Sequence, residues 1–313
     1  MARRPKRFGK RTYKDHRDWK RYNEELVIRW TFFLDFSFVE NWDRELEKMN
    51  KGKKGGQYLF PNSFMHWLAV WHQLVNYRGL EGIARKLAEL QLIPYYEDFS
   101  TAWYRIHDFM PEIRLPKFKE LNVSGDGTGM RAGNSGRYLE MKYGKKGRGK
   151  YVVVVITVES KKKKLLTIDA HVEGKGQPSE PETVIKQGEE LIENGYKIDK
   201  FNGDGAHDTN QTFEFWRKHK TRCAIPPRSN AKIRRTRCNW RKHEIRKFRK
   251  WGYKKWRKIR GYGDRLSVEG ENSCVKRTFG ENLVSRLETS LCAEAIQKFV
   301  FYDFLKDYGK SKM

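Results

Sequence analysis

The stretch Tyr151-Val-Val-Val-Val-Ile-Thr-Val158 is followed by Glu159-Ser-Lys-Lys-Lys-Lys164 and then by Leu165-Leu-Thr-Ile-Asp-Ala-His-Val172. An unbroken run of β-branched residues is typical of a strand that is buried on both faces. The lysines between the two apolar segments are most simply the solvated tip of a hairpin. These segments therefore predict a buried strand and a second strand that is joined to it by a hairpin turn.

Further strand and helix patterns extend this sheet on both sides of the hairpin. Ser179 and Gly195 are typical of the start and the end of a helix, and Pro181 suits its first turn. The predicted elements are a strand over 118–124, a helix over 178–194, a strand over 198–202, a helix over 208–218 and a short strand over 222–225. The alternation predicts an α/β fold, with a mixed sheet flanked by helices.

Helical patterns dominate residues 26–115, which we assign to a helical domain behind a basic arm over residues 1–25. The arm is either a solubilising tail or a contact to phosphates. Pro94 separates two predicted helices, the second of which would be capped by Ser100. An apolar stripe marks the first helix at Leu80, Ile83, Ala84, Leu87 and Leu90.

This segment resembles a helix-turn-helix, because it combines a short amphipathic helix, a turn and a capped helix. Any small helical bundle gives the same pattern. If this unit binds DNA, we expect Thr101, Tyr104 and Arg105 to lie near the start of its recognition helix.

Charge and composition narrow the class of partner. The 313 residues carry a net charge of +27, with 38% hydrophobic and 14% aromatic residues. This charge favours nucleic acid as the partner and makes an anionic membrane surface the weaker alternative. We expect no secretory signal, because no apolar segment follows the N-terminal charges, and no apolar run approaches the length of a membrane span. The cysteines form no C-x-x-C pair, so we expect reduced thiols in an intracellular protein.

Two aspartates follow predicted strands, and each is framed by glycines. Asp126 is expected just past the end of the first strand and Asp204 just past the fourth, where α/β folds commonly place their sites. Asp-Gly is also a common turn dipeptide, which would by itself explain either residue. With Glu269 they would form a hard oxygen site suited to Mg²⁺ or Mn²⁺. We assign the nearby Asp208 to helix capping.

The third carboxylate belongs to the segment Tyr262-Gly-Asp-Arg-Leu-Ser-Val-Glu-Gly-Glu-Asn-Ser-Cys-Val-Lys276. On an α-helix with about 100° per residue, Tyr262, Arg265, Glu269 and Lys276 share one polar face. Val268, Val275 and Phe279 would lie on another face, suited to a core. An ordinary surface ion pair between Arg265 and Glu269 is the simpler explanation of part of this pattern.

Residues 226–261 form a basic and aromatic segment between the second aspartate and the glutamate. Cations can neutralise phosphates and aromatic rings can stack on unpaired bases. The alternative is a basic amphipathic helix whose rings pack on the sheet, and we expect both to hold in part. The residues predicted to contact DNA are Arg228, Arg234, Arg235, Trp240 and Trp251.

The spacing of Tyr262, Arg265, Glu269 and Lys276 is that of the Y-(2)-R-(3)-E-(6)-K signature, so the chain resembles the insertion-sequence DDE transposases of bacteria and archaea. Asp126 in Asp-Gly-Thr-Gly and Gly203-Asp-Gly-Ala-His-Asp208 are similar to the first and second aspartate motifs of that family. His207 stands where the family typically has an aromatic residue, which leaves its role open. The resemblance covers roughly residues 60–300.

The resemblance implies an RNase H-like catalytic domain over residues 116–308, with 226–261 as an insertion and a helix-turn-helix domain before it. Asp126, Asp204 and Glu269 would be the catalytic metal ligands for two Mg²⁺ or Mn²⁺ ions. Arg265, Lys276 and Tyr262 would contact DNA beside them.

Such an enzyme would cut double-stranded DNA at transposon ends and transfer the strand to target DNA. It would pair the ends as a homodimer, in the cytoplasm and on the nucleoid of a prokaryote. The alternative is a non-catalytic DNA-binding protein derived from a transposase. An RNA-binding protein would account for the charge but not for the three carboxylates.

Overall fold

The computed structural model describes residues 18–133 and 151–313, without the side chain of Arg235. Most of the predicted basic arm and the loop predicted over 142–150 lie outside these residues. The described residues divide into two compact units, one of residues 18–35 with Leu305–Met313 and the other of Phe36–Phe304. The domain boundaries expected from the sequence stay a prediction.

The described strands form one mixed sheet of six strands. In the order β3-β2-β1-β4-β5, the first three strands are antiparallel and β4 and β5 run parallel to β1, while β6 also pairs with β1 in parallel. This arrangement is consistent with an RNase H-like core. The strands are β1 (Glu120–Ala132), β2 (Tyr151–Glu159), β3 (Lys164–Val172), β4 (Lys197–Asn202), β5 (Arg222–Ala224) and β6 (Asn282–Leu283).

The first strand is longer than its sequence pattern predicts, because β1 continues through the glycines that we took for a turn. Asp126 pairs with Ile156 of β2, in the middle of the ladder. The expectation that Asp126 lies just past a strand end is therefore wrong. Pairing with β2 keeps the Gly-Asp-Gly-Thr-Gly segment extended, and local glycine content could not reveal that partner.

Ten α-helices lie in the described part of the chain, and none of them is long and apolar enough to cross a membrane. The prediction for α6 is confirmed: Ser179 and Glu182 form a capping box, and Gly195 follows the helix with φ near 78°. The helices are α1 (Trp19–Thr31), α2 (Trp42–Asn50), α3 (Asn62–His72), α4 (Tyr77–Glu89), α5 (Phe99–Ile106), α6 (Glu180–Glu193), α7 (Asn210–Lys218), α8 (Asn239–Arg260), α9 (Leu266–Phe279) and α10 (Glu288–Ser311).

Each face of the sheet is covered by helices. On one face, Trp216 of α7 stacks on Phe201 of β4 with ring centroids 4.6 Å apart. A Cβ at Gly188 of α6 would lie 2.6 Å from that indole, so only glycine fits there without a shift. On the other face, α9 and α10 pack against β2 through Val268, Val275 and a row of α10 side chains. The prediction that Val268, Val275 and Phe279 face a core is confirmed.

The helical region before the sheet differs in detail from its prediction. Asp98, rather than Ser100, caps α5, because its Oδ1 accepts from the Thr101 N–H at 2.7 Å. Leu90 is 58% exposed and does not belong to the buried stripe, since α4 ends at Glu89. Gln297 of α10 donates to the carbonyl oxygens of Ile106 and Phe109, which joins α10 to the end of α5. The helix-turn-helix stays a prediction.

The smaller unit contains α1 and the last residues of α10. The Tyr308 hydroxyl donates to Asp35 Oδ2 at 2.6 Å, and the Tyr308 ring meets Phe32 edge-on at 5.2 Å. Gly309 leaves room for α1, because a Cβ there would lie 2.8 Å from a side-chain atom of Arg29. These contacts hold α1 against the end of α10.

The buried carboxyl of Glu97, between α4 and α5, predicts a pH-dependent stability. Burial raises its pKa to about 8, which Arg105 opposes, and neither oxygen has a hydrogen-bond partner among the described residues. The folded state therefore keeps a proton that the unfolded chain releases near pH ~4.3. Stability should fall as pH rises between these two values, by up to about 1.4 kcal/mol per pH unit.

Denaturant unfolding of Glu97→Gln across pH 5–9 checks this expectation. The amide cannot ionise, so the variant should lose most of the decline that the wild type shows. Replacing Glu112, an exposed carboxylate, by Gln is the control and should leave the profile unchanged. Equal profiles for Glu97→Gln and wild type would contradict the role of this carboxyl.

Candidate active site

Three separate elements bring the predicted carboxylates together. Asp126 lies in the middle of β1, and Asp204 follows the end of β4, which is the neighbouring parallel strand. Asp204 caps a short 3₁₀ turn, with Oδ1 accepting from the Ala206 N–H at 2.6 Å. Glu269 lies in the first turn of α9. The position expected for Asp204, just past a strand end, is confirmed.

Arg265 connects these carboxylates. Its Nη2 donates to Asp126 Oδ1 at 2.9 Å and lies 4.0 Å from Asp204 Oδ2, while Nη1 forms an ion pair with Glu269. The Arg265–Glu269 pair is thus more than a helix-surface contact, because the same guanidinium reaches two further acids from other elements. One cation balances part of the charge of three carboxylates.

Asp126 is the most enclosed of these acids. Burial raises its pKa to about 6, and although Arg265 opposes this, Glu180, Asp204 and Glu269 add to the rise. Its Oδ2 accepts from the Asn272 amide at 3.0 Å. The other amide atom, Asn272 Oδ1, is buried and has no donor among the described residues. Hard oxygen donors at this density fit a divalent cation.

Tyr262 and Lys276 border this cluster in different ways. Tyr262 and Arg265 lie on a 3₁₀ turn before α9, so the expectation of one continuous α-helix from Tyr262 to Lys276 is wrong. Burial raises the pKa of Tyr262 to about 12, and its ring packs on Trp256 at 5.2 Å. Lys276 Nζ donates to the Gly129 carbonyl oxygen of β1 at 2.8 Å.

Glu180 and His207 lie close to Asp204, although nothing in the sequence indicated a role for Glu180. The His207 ring is fully buried, and its Nε2 lies 2.9 Å from Glu180 Oε1. Ligand atoms of Glu180, Asp204 and His207 lie within 4.8 Å of one another. In the sequence, Glu180 is only the first residue of a capped helix, where an acid is favourable in any protein. His207, which stands where the family typically has an aromatic residue, was the only sequence feature that indicated an unusual environment around Asp204.

The assignment of Asp208 to helix capping is wrong. Thr209 caps α7 instead, and Asp208 is buried. Its carboxylate accepts two bonds from Arg241 of α8, at 2.7 and 3.0 Å, and one from the Arg228 N–H at 2.9 Å. An ion partner 33 residues along the chain therefore overrides the local capping pattern.

The basic segment over 226–261 contains a turn and the long helix α8, which kinks at Gly252 with φ near 69°. Trp240 is 53% exposed, whereas Trp256 is fully buried and donates from Nε1 to Glu244. Trp251 is half-buried, with the Lys247 ammonium 5.6 Å from its ring. Some rings thus pack while others remain accessible, as the sequence led us to expect.

The remaining residues predicted to contact DNA differ in how accessible their side chains are. Arg234 is exposed on its 3₁₀ turn, while the side chain of Arg235 lies outside the described part of the chain. Arg228 donates to the carbonyl oxygens of Gly205 and Ala206 beside the second aspartate.

On α5, Tyr104 is 75% exposed. Thr101 is half-buried, and Arg105 donates to Asn62 Oδ1 at 2.9 Å. Of these three residues, Tyr104 is therefore the most accessible to a partner.

A comparison with protein families agrees with this geometry. Residues 120–293, more than half of the chain, match a family model described as a transposase DDE domain. The matched stretch begins with β1 and ends in α10, so it contains Asp126, Glu180, Asp204 and Glu269.

Proposed function

This chain belongs to the transposase DDE domain family, and on that premise we propose that it is an insertion-sequence transposase of the group with the Y-(2)-R-(3)-E-(6)-K signature. It cuts double-stranded DNA at the transposon ends and transfers the freed strand to target DNA. Asp126, Asp204 and Glu269 are the residues that hold the metal.

The observation that supports this proposal is the convergence of three acids on one cation. Arg265 contacts Asp126 and Glu269 and lies 4.0 Å from Asp204, so carboxylates from β1, from the end of β4 and from α9 share one site. The unpaired Asn272 oxygen beside Asp126 adds a further hard donor.

The reaction is an in-line displacement at phosphorus. In cleavage, water attacks a phosphodiester, the bond to the 3′ oxygen breaks, and a 3′-hydroxyl and a 5′-phosphate are released. In transfer, that hydroxyl attacks a target phosphodiester, so one such bond replaces another and no nucleotide cofactor is needed. Two Mg²⁺ or Mn²⁺ ions, when bound, supply charge stabilisation for the attacking and leaving oxygens.

The cationic and phenolic residues around the carboxylates orient the DNA. Arg265 exchanges its contacts with the acids for a phosphate once metal and DNA are bound. Lys276, whose ammonium lies against Gly129 of β1, contacts a second phosphate, and Tyr262 contacts the DNA end. Arg265 is thus the residue whose partner changes most between the free and the DNA-bound protein.

The domain organisation follows from this function. Residues 26–115 form a helix-turn-helix domain that binds the transposon end, and residues 116–308 form the catalytic domain with its insertion over 226–261. Pairing of two ends requires two copies of the chain, which makes a homodimer the working form on cytoplasmic, nucleoid DNA.

DNA cleavage by the full chain tests the proposal. The substrate is duplex DNA carrying the flanks of the element that encodes the protein, incubated with and without Mg²⁺ or Mn²⁺. We expect strand breaks at the element ends, followed by joining to a target plasmid, only when the divalent ion is present. DNA binding without metal-dependent cleavage would instead identify a non-catalytic DNA-binding protein derived from a transposase.

The exposed cations of α8 predict a salt-dependent contribution to DNA binding. We expect the triple variant Lys250→Gln, Lys254→Gln, Arg257→Gln to weaken binding of duplex DNA and to reduce the slope of log K against log salt. The reduction should be about 0.9 for each phosphate contact that is lost. Fluorescence anisotropy over a salt series measures this slope.

The matched control removes three exposed lysines from other elements, Lys48, Lys161 and Lys175, and so changes the net charge equally. It should leave the slope closer to that of the wild type. Equal slopes for the two triple variants would show that α8 has no special role in contacting DNA.

A further inference from the structure

We propose that Glu180 is a fourth carboxylate of the metal site, holding a divalent cation together with Asp204, and that His207 is the residue that positions it. This inference rests on the proposed function, because it assigns new residues to the same site. Neither residue belongs to the Asp, Asp, Glu set that the family resemblance implies.

The position of Glu180 is set by contacts on both of its oxygens. Oε1 lies 2.9 Å from Nε2 of the buried His207 ring. Oε2 lies above Gly127, the residue after Asp126, where an added Cβ would be only 2.7 Å away. The carboxylate therefore occupies the space that a side chain at residue 127 would otherwise fill, and it faces the strand that carries Asp126.

Glu180 and Asp204 are like charges that the fold holds close together. Their ligand oxygens lie within 4.8 Å of each other and of the His207 nitrogen. Arg265 makes contacts to Asp126, Asp204 and Glu269, and none to Glu180 among the described residues. Like charges at this distance repel, and a divalent cation between the two carboxylates would remove that repulsion.

A second observation, independent of these acids, is a buried amide with an unpartnered oxygen beside Asp126, whose carboxyl interacts electrostatically with both Glu180 and Asp204. Asn272 is 93% buried, since only 7% of its surface is exposed, and its amide is directed at Asp126 through Nδ2. Its Oδ1 has no donor among the described residues. A buried amide oxygen without a partner is costly, and a hydrated cation would satisfy it.

His207 acts through Glu180. With its proton on Nε2, the imidazole donates to Glu180 Oε1 and orients the carboxylate towards Asp204. The ring is held by Phe201, with centroids 5.4 Å apart and the planes nearly perpendicular. Gly203 makes this possible, because a Cβ there would lie 2.7 Å from the imidazole.

Calorimetric titration of the DNA-free full chain with Mn²⁺ tests the proposal without relying on activity. We expect Glu180→Gln to lower Mn²⁺ affinity at least about tenfold, whereas Glu189→Gln, an exposed acid on the same helix, should bind Mn²⁺ like the wild type. His207→Phe keeps an aromatic ring but removes the donor and should weaken Mn²⁺ binding. His207→Gln, which retains a donor, should weaken it less.

The outcomes separate this inference from the proposed function. If Asp204→Asn lowers Mn²⁺ affinity but a folded Glu180→Gln variant does not, Glu180 is not a ligand and the inference is overturned, while the three-carboxylate site stands. If His207→Phe and His207→Gln weaken binding equally, the hydrogen bond is not what positions Glu180. If neither Asp126→Asn nor Asp204→Asn alters Mn²⁺ affinity, the proposed metal site itself fails.

Discussion

Asp126→Asn should lower DNA cleavage and strand transfer by at least about 10³-fold, equivalent to roughly 4 kcal/mol of transition-state stabilisation. Asp204→Asn and Glu269→Gln should have losses of the same order. Each amide keeps the size of the acid but removes the negative charge that attracts a divalent cation. Binding of the transposon end should change little, because the surfaces proposed to bind it are the helical domain and the cations of α8, not these acids.

The measurement compares initial rates of end cleavage on the element's flanking DNA at saturating Mg²⁺. Glu189→Gln is the matched control, since it exchanges an exposed acid for its amide without touching the site. Gel-shift titrations and thermal unfolding of each variant establish that binding and fold are intact. A folded Asp126→Asn variant that cleaves DNA at the wild-type rate would contradict the assignment of the site.

Asp208→Ala should destabilise the protein by about 3–5 kcal/mol, because it leaves the Arg241 guanidinium without its partner in a mostly buried position. The variant also removes the acceptor of the Arg228 N–H. Asp208 lies four residues after Asp204, so we expect the end of β4 to loosen as well. Denaturant unfolding, followed by far-UV circular dichroism, measures the loss.

A double-mutant cycle isolates this ion pair. Because Arg241 contributes two bonds to Asp208, the combined variant Asp208→Ala, Arg241→Ala should be less destabilised than the sum of the single variants. Glu214→Gln on the exposed side of α7 is the control and should stay within about 0.5 kcal/mol of wild type. Additive effects would mean that the two side chains do not support each other.

Local patterns in the sequence were sufficient for several elements. The run from Tyr151 to Val158 predicted β2, and the Ser179 and Gly195 signals predicted both ends of α6. These predictions succeed because strand burial and helix capping depend on residues that are near one another along the chain. The same holds for the apolar face of α9, where Val268 and Val275 are one heptad apart.

The predictions that failed are those in which a distant partner decided the outcome. Asp126 lies inside β1 because β2 pairs with the glycine-rich segment. Asp208 is an ion partner of Arg241 because α8 returns to the end of β4. Ser100 lost the capping role to Asp98, which precedes α5 and offers its carboxylate to the same first turn.

By itself, the sequence indicated the class of the chain: an α/β fold, a strong cationic charge, three candidate acids, and a Tyr-Arg-Glu-Lys spacing that matches a known signature. Only the tertiary structure decided how those acids meet. Arg265 reaches Asp126 across 139 residues, and Glu180 packs over Gly127, the residue after Asp126, because Gly127 has no side chain. The physical reason is that helix and strand periodicity is a local property of the sequence. A site that gathers like charges depends instead on segments far apart in the chain, which must leave space for the side chains and supply a cation between the acids.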